Sequence, residues 1–417
     1  MSGRPLGFFA TSTVCLLALG ATGCAKKAPQ SFEMQNGFLS SQEFEDAKEA
    51  FAEVEEAGDG LGAHFNDSSC ANCHPAPGKA PGKALPGGSS NITELRAGHL
   101  GANNLFVPAP GGTLITLRAL EGLTPEVDTL PDAENVRERF ITPSLFGAGF
   151  VESVADETLR RTAEDQNART KGRIRGLARE VDVLEAPGKK AVGRFGWAAQ
   201  HASLLSFSAD AYRNEMGITS RLMPDDNTFF GEKVDDGVAD PEDTGGEFGE
   251  DVEKFAAFMR ALAAPPGAAS DALSADADIG AGAKTFVAIG CGTCHLPQLV
   301  TAKAGTLVNG GAFRVPDALG NKKFHSFGDF LLHDIGTGSS ILREGTPVEA
   351  RNKVRTAALW GLGTRLGHKE RLLHDSSAGT VQEAIERHKN SAAEDAARFQ
   401  RLSDADKAKV LTFLQSL

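Results

Sequence analysis

The chain has 417 residues, a formal net charge of -12 and 41% hydrophobic residues, with no Lys/Arg-rich run. That composition excludes a disordered chain, and the charge excludes a nucleic-acid partner held by phosphate neutralisation. At roughly 100 to 200 residues per domain the length suggests two or three domains, each able to bury a core.

In chain order, residues 1–24 carry one Arg, no acid and an apolar run from Gly7 to Gly20 that is too short to span a bilayer. This reads as a signal peptide. Its end, Leu19-Gly20-Ala21-Thr22-Gly23-Cys24, resembles the lipobox of bacterial lipoproteins, so Cys24 is expected to be acylated. The sequence after the cysteine lacks an Asp, which resembles an outer-membrane sorting signal. The expected location is the periplasm, with membrane contact only through the lipid anchor. Residues 25–40 read as a linker, 41–264 as a first unit, 265–279 as a Pro/Ala-rich linker and 280–417 as a second unit.

Each unit opens with apolar positions at helical spacing, Phe44, Ala47, Phe51 and Val54 in one and Ile279, Ala283, Phe286 and Val287 in the other. Each closes on an amphipathic stretch, 251–262 and 406–417. Between them, Thr142-Pro143-Ser144-Leu145-Phe146-Gly147 parallels Thr356-Ala357-Ala358-Leu359-Trp360-Gly361, and the segment from Trp197 parallels that from His374. Matches in the same order point to a tandem duplication. The Gly/Pro-rich stretch 78–140 and the acidic 229–249 read as surface loops, with some strand pairing at 100–120. The fold class expected is mainly α, with two tandem cytochrome c-like haem domains and long irregular loops.

Cys15 and Cys24 belong to the signal, and the other four cysteines all lie in CxxCH: Cys70-Ala71-Asn72-Cys73-His74 and Cys291-Gly292-Thr293-Cys294-His295. That pattern is the signature of c-type haem attachment. Two thiols on one turn reach the two vinyl groups of a haem, and the adjacent His meets the iron from the same side. Two covalently bound c-type haems are therefore expected, with His74 and His295 as proximal ligands and no thiol left for disulfide exchange.

GRFGWAAQ ending at Gln200, EMGITSR at 215–221, IGCGTCH at 289–295, LLHDIG at 331–336, LWGLG at 359–363 and LLHDSSAGTVQEAI at 372–385 resemble the bacterial di-haem oxidoreductase family, over roughly residues 40 to 417. Its members are regarded as peroxidases and are sometimes called thiol oxidoreductases. The two-unit plan is similar, more distantly, to the di-haem cytochrome c peroxidases, in which one haem reacts with peroxide and the other relays electrons.

The resemblance implies site residues. All five Met precede residue 291, so the sixth ligand of the C-terminal haem, if from its own unit, falls among His325, His333, His368, His374 and His388. In the related peroxidases that ligand stands 14 residues after the His of an HDG-like motif, and counting from His374 gives His388. For the N-terminal haem, Met216, Met223, His64, His99 and His201 remain open as ligands. Glu215 resembles the peroxidases' distal acid-base, 18 residues after Trp197 where they show about 20; Phe207 stands where they carry a Gln. Trp197 resembles their inter-haem relay. His333 receives no role, and no calcium loop is recognisable.

The reading is a periplasmic di-haem c-type oxidoreductase, peroxidase-like, acting on an oxidant such as hydrogen peroxide and exchanging electrons with a small redox protein. The alternative is a non-enzymatic two-haem electron-transfer protein.

Overall fold

The computed structural model describes residues 35–75, 88–234, 236–245, 250–265, 276–341 and 346–417. Cys24 and the signal segment lie outside the described residues. The molecule is 36% helical and 17% strand, with many small sheets, which corrects the mainly α expectation. The segment read as loop supplies much of the difference. Strand Ser90–Leu100 pairs antiparallel with Val136–Thr142 and also with Phe106–Pro108 and Leu114–Ile115, forming a four-stranded sheet over Leu95, Ala97, Ile115 and Leu130. Gly and Pro at the turns concealed a strand whose inward residues are few and small, so composition pointed to a loop.

Two helix pairs organise the core. Helix Ser41–Ala52 starts at a capping box formed by Ser40 and Glu43 and buries Phe44, Ala47 and Phe51. These pack on helix Asp251–Ala261 through Phe258, with Phe51 and Phe258 4.9 Å apart. Helix Ala277–Ala288 packs in the same way on Asp404–Gln415, with Phe286 and Phe413 5.4 Å apart. In both pairs a stripe of aromatic side chains meets across the helix contact.

The duplicated turns adopt matching conformations. Gly147 and Gly361 both sit in the left-handed region (φ 74° and 75°) and cap the short helices Ala148–Glu152 and Leu362–Gly367. Two residues on, Gly149 and Gly363 lie so close to a terminal helix that a Cβ would come within 2.3 Å of the Arg260 and Gln415 carbonyl oxygens, respectively. Glycine is required at both, because any side chain would force the short helix off the terminal one. Trp360, from the second repeat, packs into the first core cluster and against Gly147.

Candidate functional site

Both CxxCH segments form a single tight turn. Cys70–Cys73 is one helical turn and Cys291–Thr293 one 3-10 turn, and in each motif the histidine N–H donates to the first cysteine's carbonyl at 2.9 Å. The turn puts both thiols and the imidazole on neighbouring faces. Burial pushes the Cys70, Cys73 and Cys291 thiols up to about 12 and holds the His74 and His295 imidazoles down near 4. Neutral imidazole is the form that ligates a metal.

The second motif opens on an apolar cavity lined by Cys291, Cys294, His295 and His388 together with Trp197 and His374. His388 follows helix Val381–Glu386 and its Nδ1 donates to the Ala384 carbonyl at 2.7 Å, while His295 Nδ1 donates to the Phe327 carbonyl at 2.9 Å. Those bonds leave each Nε2 free and fix both rings. The ring centres are 6.4 Å apart. Two imidazoles bound to one metal ion, at about 2 Å per bond plus about 1 Å to each ring centre, face each other at roughly 6 Å. The residues present therefore fit an iron held between two histidines in a mostly apolar cavity.

The first motif is built differently. The His74 ring packs against Phe51 at 6.2 Å, its Nδ1 has no hydrogen bond of good geometry, and backbone groups of Gly88 and Pro143 lie beside it. Among the described residues no histidine ring faces His74. Of the open candidates, His64 is engaged with the Thr124 carbonyl, His99 with Glu134 and His201 with Asp210, while Met216 is buried in the core cluster on which Cys70 and Met223 also pack. Segment 76–87, outside the described residues, contains neither His nor Met.

Glu215 reaches this first motif from the π-helical turn Tyr212–Met216, which ends at Gly217 packed on Gly62. Such turns displace a side chain from the regular helical path and recur at functional sites. The carboxylate is enclosed although the residue as a whole is partly exposed, and it accepts a 2.6 Å hydrogen bond from Asn66 Nδ2. Burial, reinforced by the charge of Glu94, raises its pKa to about 7 against the opposing Asn66 hydrogen bond and Arg96. It lies near enough to Cys73 for its charge to push that thiol up. Asn66 escaped the sequence reading because it is 149 residues away, and no spacing rule links the two.

Trp197 lies on the wall of the second cavity. Its Nε1–H donates to the Ile141 carbonyl at 2.7 Å, its ring is 6.1 Å from that of His374, and the Arg355 guanidinium lies 5.8 Å over it. Phe207 packs against His201 and Phe195. His333 is buried in a network: its Nε2 is 2.7 Å from Asp329 Oδ2, its Nδ1 3.7 Å from Cys294 Sγ, and Gln166 Nε2 donates to the same Asp329 oxygen at 2.6 Å. Asp329 raises the His333 pKa well above the usual histidine range, outweighing burial.

A mostly apolar cavity with two buried imidazoles on its wall is what a haem-binding protein presents. The family follows from the sequence of the same region. Residues 131–417, more than half of the chain, match the family described as "Di-haem oxidoreductase, putative peroxidase", and the chain belongs to that family. The matched segment contains Cys291, Cys294, His295, Trp197, Glu215 and His388, whereas Cys70, Cys73 and His74 precede it. No curated protein matches the chain. Among solved structures it is similar to Kuenenia stuttgartiensis hydrazine synthase pressurised with 20 bar xenon, at 14% identity over 98% of this chain and 100% of that one. The TM-score is 0.39, a likeness too loose to carry a function.

Proposed function

We propose that the chain carries two covalently attached c-type haems, one at Cys70, Cys73 and His74 and one at Cys291, Cys294 and His295, and works as a peroxidase. The carrying observation is the asymmetry between the two sites. His295 and His388 face each other at the spacing of a bis-imidazole centre, which suits electron relay. His74 has no facing histidine among the described residues but has a proton-transfer group, Glu215, nearby.

Haem held by these residues would supply one-electron chemistry and a place for an oxidant. The chain's own residues supply the rest. Glu215, with a pKa near neutrality, takes a proton from hydrogen peroxide and returns it to the departing oxygen, the matching of pKa to operating pH that general acid-base catalysis requires. Asn66 fixes the carboxylate. Two electrons from a small redox protein and two protons then convert one peroxide into two waters. We also propose export to the periplasm with acylation at Cys24, which fatty-acid labelling tests.

The reading is tested by ferric absorption and EPR spectra. One low-spin and one high-spin haem are expected, and His388→Ala should turn the low-spin one high-spin. Two low-spin haems that bind no peroxide in any redox state would instead make the chain a two-haem electron carrier. Haem released by acid-acetone extraction would refute covalent attachment.

A further inference from the structure

The second cavity is apolar except at a few points, and one of these is a cation. Arg355 lies in the two-residue strand Val354–Arg355, paired with Leu332–His333. It lines the cavity and is only 8% exposed. Its Nε donates to the Gly196 carbonyl at 2.7 Å, and its guanidinium lies over Trp197 and Phe330 at 5.8 and 5.9 Å. Among the described residues its two terminal nitrogens meet no carboxylate within hydrogen-bond distance.

The neighbouring acid cannot serve. Asp329 already accepts from His333 and Gln166 on Oδ2 and from the Leu331 backbone N–H on Oδ1. The other arginine on the cavity wall, Arg365, is held by Glu370 at 3.2 Å. A buried charge is tolerated when it is paired. Arg355 therefore presents two unused donors in a planar fork to a chamber that is mostly apolar, and that fork matches a carboxylate.

We propose that Arg355 is a carboxylate-binding residue of the second cavity and receives a propionate of the haem held there. This rests on the reading that a haem occupies the cavity. The macrocycle takes the apolar walls, and its carboxylate edge must turn towards the one unpaired guanidinium. With the macrocycle's rotation already fixed by Cys291 and Cys294, Arg355 anchors the propionate and supplies a positive charge at the haem edge, which favours the ferrous state.

The test compares Arg355→Met, which keeps bulk without charge, with Arg355→Lys, which keeps charge, in the full haem-loaded chain. The readouts are the midpoint potential of the low-spin haem and its propionate band in resonance Raman spectra. Arg355→Met should lower the ferrous-to-ferric ratio at fixed applied potential by about tenfold and shift the propionate band. Arg355→Lys should retain most of the potential. Wild-type potential and band in Arg355→Met would overturn the proposal, as would equal effects of Lys and Met or loss of the C-terminal haem from both variants, since these assign Arg355 a packing role. Failure of the underlying reading is separable: a chain that loads a single haem, attached at Cys70 and Cys73, would leave the second cavity without one, whatever Arg355 does.

Discussion

Trp197 and Ile141 are joined by a 2.7 Å hydrogen bond from the indole Nε1–H to the strand carbonyl, and this bond ties the wall of the second cavity to the segment leading to the first motif. The Ile141 N–H donates to the His374 carbonyl at 2.8 Å, and two residues further on Pro143 lies against His74. The segment 136–143 thereby touches both candidate haem sites.

Replacing Trp197 with Leu removes both the aromatic ring and its bond to Ile141. Electron transfer between the haems should slow by about tenfold or more, equivalent to roughly 1.4 kcal/mol of barrier. Rapid-mixing absorption measurements with peroxide would follow it, with the low-spin spectrum of the His295/His388 centre as the control. An unchanged rate would remove Trp197 from the path.

Glu215→Gln should reduce peroxide turnover ~100- to 10,000-fold, with haem content unaltered. The proton acceptor must be ionised and its pKa is about 7, so wild-type peroxide turnover should rise as pH increases through that value. The variant should lack this limb. A pH profile shared by both proteins would show that another group titrates.

Stability should run against pH in the same range. Burial raises Glu55, which accepts from the Tyr212 hydroxyl at 2.9 Å, to about 7, as it does Glu215. A carboxyl whose folded-state pKa is raised binds its proton more tightly in the folded chain, so its stabilisation is full below the unfolded value of 4.5 and is lost as pH rises through about 7. Glu55→Gln keeps a partner for Tyr212 and should flatten that decline. Thermal melts between pH 4.5 and 8 would reveal it as a Tm gap between variant and wild type that widens with pH; a constant gap would contradict it.

Gly363→Ala should destabilise the chain by about 1 to 3 kcal/mol, because the added methyl meets a backbone carbonyl that cannot yield without moving the terminal helix. Gly149→Ala should behave alike. Gly367, which ends the same short helix as Gly363 but has open space around it, is the control, and its replacement by Ala should be neutral or stabilising. Denaturant melts giving equal midpoints for the Gly363 and Gly367 variants would disprove the tight crossing.

The spacing of cysteine and histidine was legible without a structure because the haem attachment proposed there is local chemistry: two thiols and an imidazole must share one turn, and that turn is written in five consecutive residues. The same holds for the helix stripes around Phe44 and Phe286, whose period is set by the backbone, and for membership of the di-haem family, carried by contiguous motifs. The four-stranded sheet was not legible, since its long strand pairs with residues some 40 positions away and carries few large apolar residues. Nor were the partners of the site. Asn66 beside Glu215, Asp329 beside His333, and Arg355 at the cavity wall owe their roles to neighbours brought together only by folding. Hydrogen bonding and desolvation depend on distance in space, so a sequence can name a carboxylate or a guanidinium while only the tertiary structure decides what each one faces.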